Sequence, residues 1–294
     1  MLKTKKRIAL GLTLAMLLVL FAACGRQNVV EPTRGTWEDN VFTSEYLGLR
    51  FVLPTAWLIA SEFDIAMLMG VTVSALEAAG SRVPSDITSF YDMMASNPYT
   101  GANVQIIYER YGRRTPTADE FIEATTEAIA DIGGTVTRVS GTTRISAYNW
   151  HSYSTQLISM GQVIHGRQFF TIQDGYIRLI VITYTDLSES LDDILPMFIG
   201  LNDPIPQPQR AEVLVGTWAW EWDDEYLYVF HADGRGTRGF APILEEFEWE
   251  TLGNDHLLIN TVAMLESWSF SIIGDVLTIE SRQMAGMIYS YIRQ

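Results

Sequence analysis

The alternation of apolar and polar positions changes character twice along this chain. An apolar run interrupted only by Thr13 fills Ile8 to Phe21. From Thr36 to about residue 200, stretches of period two mix with stretches of period 3.6. After the alternating prolines Pro204, Pro206 and Pro208, only period two remains. In the middle region, Thr36–Thr43 and Leu47–Leu53 read as two short strands, the second stopped by Pro54. Ser61 is placed to N-cap a helix from Glu62, and the apolar run Ile65–Leu76 reads as a buried helix broken near Gly70. Strands follow at about 86–94 and 102–111. Thr117 and Glu120 form a capping box. Behind it Phe121, Ile122, Thr125, Ile129 and Ile132 share one helical face, and Gly133-Gly134 ends the helix. Four strands come next, at about 135–145, 148–158, 163–173 and 176–185, joined so tightly that they must form an antiparallel meander. If the middle pair turns near Met160-Gly161, His151 lies near Phe170 and His165 near Gln156. A last helix is expected at about 188–199.

The region after the prolines reads as eight short strands: 213–222, 225–231, 236–240, 244–251, 256–261, 265–273, 275–281 and 286–293. Asp233-Gly234 and Gly274-Asp275 are hairpin turns. Regular short strands of this kind make a small antiparallel barrel. The fold class is therefore α+β, an antiparallel-sheet α/β sandwich followed by an all-β barrel. The expected divisions are a signal segment 1–23, a tether 24–35, a mixed domain 36–200, a proline-rich linker 201–211 and a barrel domain 212–294.

The first apolar run carries its own address. Lys3, Lys5, Lys6 and Arg7 precede it, and Ala22-Ala23-Cys24 follow it. An apolar region of 14 residues is too short for a typical spanning helix of ~20 residues, so this is a secretory signal. It resembles a bacterial lipoprotein signal with its lipobox, although Phe21 stands where leucine is usual. The resemblance implies that Cys24, the only cysteine, is acylated and becomes the mature N-terminus. The expected location is then the extracytoplasmic face of a cell membrane, held by lipid.

Charge narrows the function. The chain carries a net charge of -15, and all three lysines lie in the signal. The mature chain has sixteen arginines against 35 acids, a net charge of -19. Such a surface has no general attraction for a phosphate backbone or an anionic bilayer, so no nucleic-acid partner is expected and the anchor must do the holding. A mature chain without lysine cannot run Schiff-base, P-loop or Ser-x-x-Lys chemistry. One cysteine excludes an internal disulfide. The four histidines, at 151, 165, 231 and 256, show no metal spacing, and Gly-x-Ser-x-Gly is absent. No catalytic residue, metal or cofactor is expected.

Two further resemblances bear on the domains. Gly48-Leu49-Arg50-Phe51-Val52-Leu53-Pro54 with Trp57 is similar to the start of PsbP-like domains, and the order of elements over 35–200 is similar too. This implies an antiparallel sheet with helices on its faces and a non-catalytic accessory role. Gly216-Thr217-Trp218 resembles the Gly-x-Trp signature of lipocalins, and the likeness extends over most of 212–294 to small lipocalin-like domains of bacterial lipoproteins. It implies that Arg293 lies across the Trp218 ring and closes the barrel.

The candidate sites follow from these patterns. Trp218, Trp220 and Trp222 alternate and point one way along one strand. Trp268, Phe270 and Ile272 oppose Ser267, Ser269 and Ser271, so aromatic-in, polar-out is the consistent solution. At the barrel mouth Trp220 and Trp222 are then the candidates for lining a pocket for a small apolar ligand. The acids Glu221, Asp223, Asp224 and Glu225 lack the spacing of a calcium loop and read as a solvated turn. Arg110, Arg113 and Arg114 are the basic cluster, suited either to an anionic partner or to a charged hairpin end. The expected function is a non-enzymatic binding or envelope-accessory role. The alternatives are a carrier of a small hydrophobic ligand and, further off, a cell-wall hydrolase using paired carboxylates.

Overall fold

A computed structural model describes residues 31–294 except 55–56, 81, 84–86, 99, 113, 160, 187, 189, 207–209, 253–254 and 285. The signal segment, Cys24, Arg113 and Pro208 lie outside the described residues. The chain is mostly β and divides between Ile205 and Pro206 into two compact units.

The first unit holds two antiparallel sheets. The smaller has the order β1-β2-β3-β11, from Thr36–Glu38, Val41–Ser44, Leu49–Val52 and Phe198–Gly200. The larger has the order β4-β5-β6-β10-β9-β8-β7. Its strands are β4 Leu58–Ile59, β5 Ser89–Ser96, β6 Asn103–Arg110, β7 Thr135–Ile145, β8 Tyr148–Ser159, β9 Gln162–Gln173 and β10 Tyr176–Thr185. The meander has the register set by the turn near residue 161, with His151 opposite Phe170 and His165 opposite Gln156. Strand β10, YIRLIVITYT, lies between β6 and β9 and is buried along nearly its whole length. A central strand covered on both faces needs such a largely apolar run, and its one charge, buried Arg178, is paired with Asp174 at 2.6 Å.

Among the described residues four short helices complete the unit: α1 Glu62–Met69, α2 Val73–Ala79, α3 Ala118–Asp131 and α4 Leu191–Ile194. Ser61 and Asp64 cap α1 reciprocally, and Gly70 ends it in the left-handed region at φ 69°. Thr117 and Glu120 do the same for the start of α3. Phe121 of α3 meets Phe170, with ring centroids 4.8 Å apart, on one face of the large sheet. On the other face Tyr46 packs edge-on to Tyr108 at 5.4 Å, and Phe51 meets Phe198 within the small sheet at 4.9 Å.

Two expected elements come out differently. The strand expected over 36–43 is a hairpin, β1 and β2, because Asp39 takes φ 51° and reverses the chain. The helix expected over 188–199 stops after one turn. Pro196 has no N–H to continue the ladder, so Leu195–Met197 tightens into a 3-10 turn. Phe198–Gly200 then pairs with β3 as a strand.

The second unit is a closed antiparallel barrel of eight strands. They are β12 Gly216–Trp220, β13 Asp223–Phe230, β14 Arg235–Phe240, β15 Ile243–Leu252, β16 His256–Thr261, β17 Leu265–Ile273, β18 Val276–Ser281 and β19 Ile288–Arg293. Pairing of β12 with β19, Trp218 opposite Arg293, completes the ring. Up-and-down order puts the β12–β13, β14–β15, β16–β17 and β18–β19 hairpins at one end. The remaining turns and the chain's arrival at Gly216 lie at the other.

Candidate functional site

The barrel is filled by its own side chains. Alternate residues of every strand turn inward, and Trp218, Tyr228, Phe230, Phe247, Trp249 and Trp268 lead a continuous buried cluster. Gly236 makes room for this: a Cβ there would sit 2.3 Å from the Phe247 ring. The end at which the chain arrives is closed by Trp218 and Arg293. The Trp218 ring is fully buried and its Nε1 donates to the Leu214 carbonyl at 2.8 Å. The Arg293 guanidinium lies 4.1 Å from the centre of that ring and donates to the carbonyls of Val213 and Val215. A cation over an indole face, tied to the backbone before the first strand, joins the two ends of the barrel sequence.

The hairpin end has a polar core. Arg238 projects inward from β14, and its guanidinium donates to both carboxylate oxygens of Glu266, at 2.6 and 2.8 Å. It also donates to the Tyr228 hydroxyl at 2.6 Å and to Glu245 at 2.7 Å. Trp268 Nε1 donates to Glu266 at 3.0 Å. Burial works against the Arg238 charge, but its bonds to Glu266 and Tyr228 outweigh that, and its pKa stays above the ordinary arginine value. Around this network stand Trp220, Tyr226 and Tyr289, each half-buried, with Tyr226 and Tyr289 edge-on to Trp220 at 6.1 and 6.3 Å. The Trp220 Nε1 is buried without an acceptor.

The three alternating tryptophans do not line one wall. The β12–β13 register shifts between Ala219 and Trp220, and β12 ends there. Trp218 is deep in the core, Trp220 stands at the aromatic rim, and Trp222 sits on the hairpin tip with 83% of its surface exposed. Trp220 and Trp222 are therefore not brought together as a pocket lining. The neighbouring acids Glu221, Asp223, Asp224 and Glu225 are exposed, and Asp223 accepts the Glu225 N–H in an ordinary turn. Among the described residues no group of His, Cys, Asp and Glu is arranged to hold a metal.

The other sequence candidates resolve singly. The described members of the basic cluster face acids of this chain: Arg114 meets Glu120 at 2.7 Å and Arg110 approaches Glu31 at 3.5 Å. His165 bonds Asp186 at 2.8 Å and stacks on Tyr184. His256, fully buried, bonds the Ser267 hydroxyl at 2.8 Å. His151 borders a cavity of about 180 Å³ beside Ile122, Arg138 and Val139, where a bulge in β7 lifts Gly141 away from β8. Arg138 is ion-paired with Asp119 across the helix α3 contact.

Besides the Arg238–Glu266 pair, sequence reasoning missed two buried acids of the first unit. Asp92 is the bulged residue of β5 and accepts hydrogen bonds from the Gly35 N–H and the Tyr108 hydroxyl. Burial raises its carboxyl to about 6 against the pull of those bonds. Glu109, buried near the end of β6, is pushed by burial to about 8. Alternation hid both: Glu109 shares its parity on β6 with Asn103 and Gln105, which reads as a solvated face, and Asp92 sits at a bulge that breaks the period of β5.

By its architecture this is a two-unit, mostly β chain that ends in a closed, side-chain-filled eight-stranded barrel. No family model matches it and no curated protein matches it. Two solved structures titled as SurE, one of them with D-Leu, are similar over 62% and 57% of this chain. Their identities are 13% and 11% and their TM-scores 0.18 and 0.17. The matches span 45% and 43% of those chains, less than half their length.

Proposed function

We propose that this chain is a bacterial lipoprotein, acylated at Cys24 and held on the extracytoplasmic face of a membrane, with a non-enzymatic binding or accessory role. On this reading the first unit is a PsbP-like α/β sandwich and the barrel a lipocalin-like domain without a carrier cavity. The observation that carries the accessory reading over the carrier reading is the barrel interior. Its charged pair Arg238–Glu266 is spent on its own neighbours, and its apolar positions pack on one another. A transport barrel keeps its interior for cargo, whereas a solid one offers only its outside. The basic n-region, the short apolar run and the lone cysteine after two alanines support the anchor.

A second reading keeps a small apolar ligand at the rim, favoured by the half-buried rings of Trp220, Tyr226 and Tyr289 gathered there. Native mass spectrometry of residues 28–294, purified gently and then incubated with an envelope extract, separates the two. A clean apo mass in both samples is the expected result, and a stoichiometric small-molecule adduct overturns it in favour of the rim site. For the anchor, wild-type protein is expected to incorporate labelled palmitate and the Cys24→Ser variant to lose it. Unchanged labelling refutes acylation at Cys24.

A further inference from the structure

We propose that the exposed apolar face of helix α1, Phe63 with Met67, rests on the lipid bilayer and orients the first unit against it. This rests on the anchored-lipoprotein reading above. The argument starts from where the chain becomes fixed. Residues 31–35, which the sequence assigns to the tether, are held by the body of the unit. The Tyr176 hydroxyl donates to Glu31 at 2.6 Å, and the Val83 N–H donates to the Pro32 carbonyl. Arg34 pairs with Glu62 at 2.6 Å, and the Gly35 N–H donates to buried Asp92 at 2.9 Å. Gly35 is locked in place, since a Cβ there would lie 2.1 Å from the Phe42 ring.

Six residues, Gly25–Val30, therefore separate an acylated Cys24 from fixed structure. In any conformation they reach at most ~25 Å. The unit stays within that reach of the bilayer, so the surface around residues 31–34 is the part of it kept nearest the lipid. Arg34 fixes which surface that is, because its partner Glu62 opens α1 and is followed directly by Phe63. Phe63 and Met67 are 65% and 56% exposed and lie one helical turn apart, on the side opposite the buried Ile65 and Ala66. Leu58 and Ile59 of β4, just before the helix, are exposed as well. Of the seven exposed large apolar side chains described in the first unit, four thus fall within ten residues beside the anchor's exit. The acids here do not repel lipid freely: Glu62 is paired with Arg34, and Asp64 is spent on the Ser61 cap. An apolar helix face held parallel to a bilayer by a nearby lipid anchor settles into the headgroup boundary.

The test uses full-length protein matured in its own membrane. Acylation blocks Cys24, so Met67→Cys supplies the single free thiol for an environment-sensitive dye. Val262→Cys, on an exposed barrel hairpin, is the companion site. Both proteins are reconstituted into phosphatidylethanolamine–phosphatidylglycerol vesicles, with the acyl mass read on the same samples. At position 67 the emission is expected to move to shorter wavelength on reconstitution and to be quenched several-fold more by spin-labelled lipid than at position 262. Water-like emission at 67 in acylated protein overturns the docking while leaving the anchor intact, as does a lipid signal at 262 instead. A blue shift at 67 in soluble protein without vesicles, rising with protein concentration, replaces the bilayer with a second copy and also overturns it. Absence of the acyl mass overturns the anchored reading itself, and this inference with it.

Discussion

Replacing Arg238 by methionine tests whether the hairpin end of the barrel is dry. Methionine keeps the unbranched apolar stem but removes the charge. Glu266, whose side chain is 11% exposed, is then left with Trp268 Nε1 as its remaining donor, and the Tyr228 hydroxyl loses its partner. Breaking a buried pair in this way costs ~3–5 kcal/mol, because the surviving charge stays desolvated. The third acid, Glu245, is 43% exposed, so its bond to Arg238 adds no more than ~1 kcal/mol. For a domain of this size a loss of ~3 kcal/mol lowers the melting temperature by at least ~12 °C. The Arg238→Met/Glu266→Leu double variant should be more stable than Arg238→Met alone, since it leaves no orphaned charge. Urea unfolding of residues 25–294 followed by tryptophan fluorescence reads this well, because five of the eight tryptophans lie in the barrel. A single-variant loss below ~1 kcal/mol with an additive double variant would refute the reasoning. Water would then reach the pair, and the barrel would be open at that end.

The Arg238–Glu266 pair also marks how far the sequence could be read. The count of barrel strands, the Ser61 cap, the Thr117–Glu120 capping box and the register of β8 on β9 are local matters. Each depends on residues a few positions apart, and each is visible in spacing. Glu266 shares its parity with Trp268, Phe270 and Ile272, so the sequence already placed one acid among inward aromatics. Its partner stands 28 residues away on a strand that is not its neighbour, and only closure of the ring brings the two together. The same limit hid the attachment of residues 31–35. A stretch such as EPTRG looks like linker because the groups that hold it, Asp92, Glu62 and Tyr176, lie far along the chain. Trp222 shows the converse. Perfect alternation with Trp218 and Trp220 suggested one wall, but β12 ends at Trp220, whose partner across the register break is Asp223 instead of Tyr226, and Trp222 is left on a tip in solvent.

The remaining predictions concern single side chains. Trp218→Ala should cost ~3–5 kcal/mol, because it empties the closed end of the barrel and strips Arg293 of its aromatic partner. Trp222→Ala should change stability by less than ~0.5 kcal/mol, and a large loss there would mean the tip is buried in solution. Glu109 sets the pH dependence of the first unit. Its carboxyl is raised by burial to about 8, whereas in the unfolded chain it titrates near the ordinary glutamate value. Between those two values the folded state holds one more proton than the unfolded state. Stability must therefore rise as pH falls from about 8 toward the ordinary range, by ~1.4 kcal/mol per pH unit at most. Asp92, raised to about 6, adds a shift of the same sign in the lower part of that window. Glu109→Gln should remove most of this dependence and stabilise the unit at pH 9, where the wild-type carboxylate is charged and buried. Denaturation midpoints measured from pH 5 to 9 decide it. A wild-type curve that is flat, or that falls toward pH 6, would mean that water or an unrecognised cation already reaches Glu109.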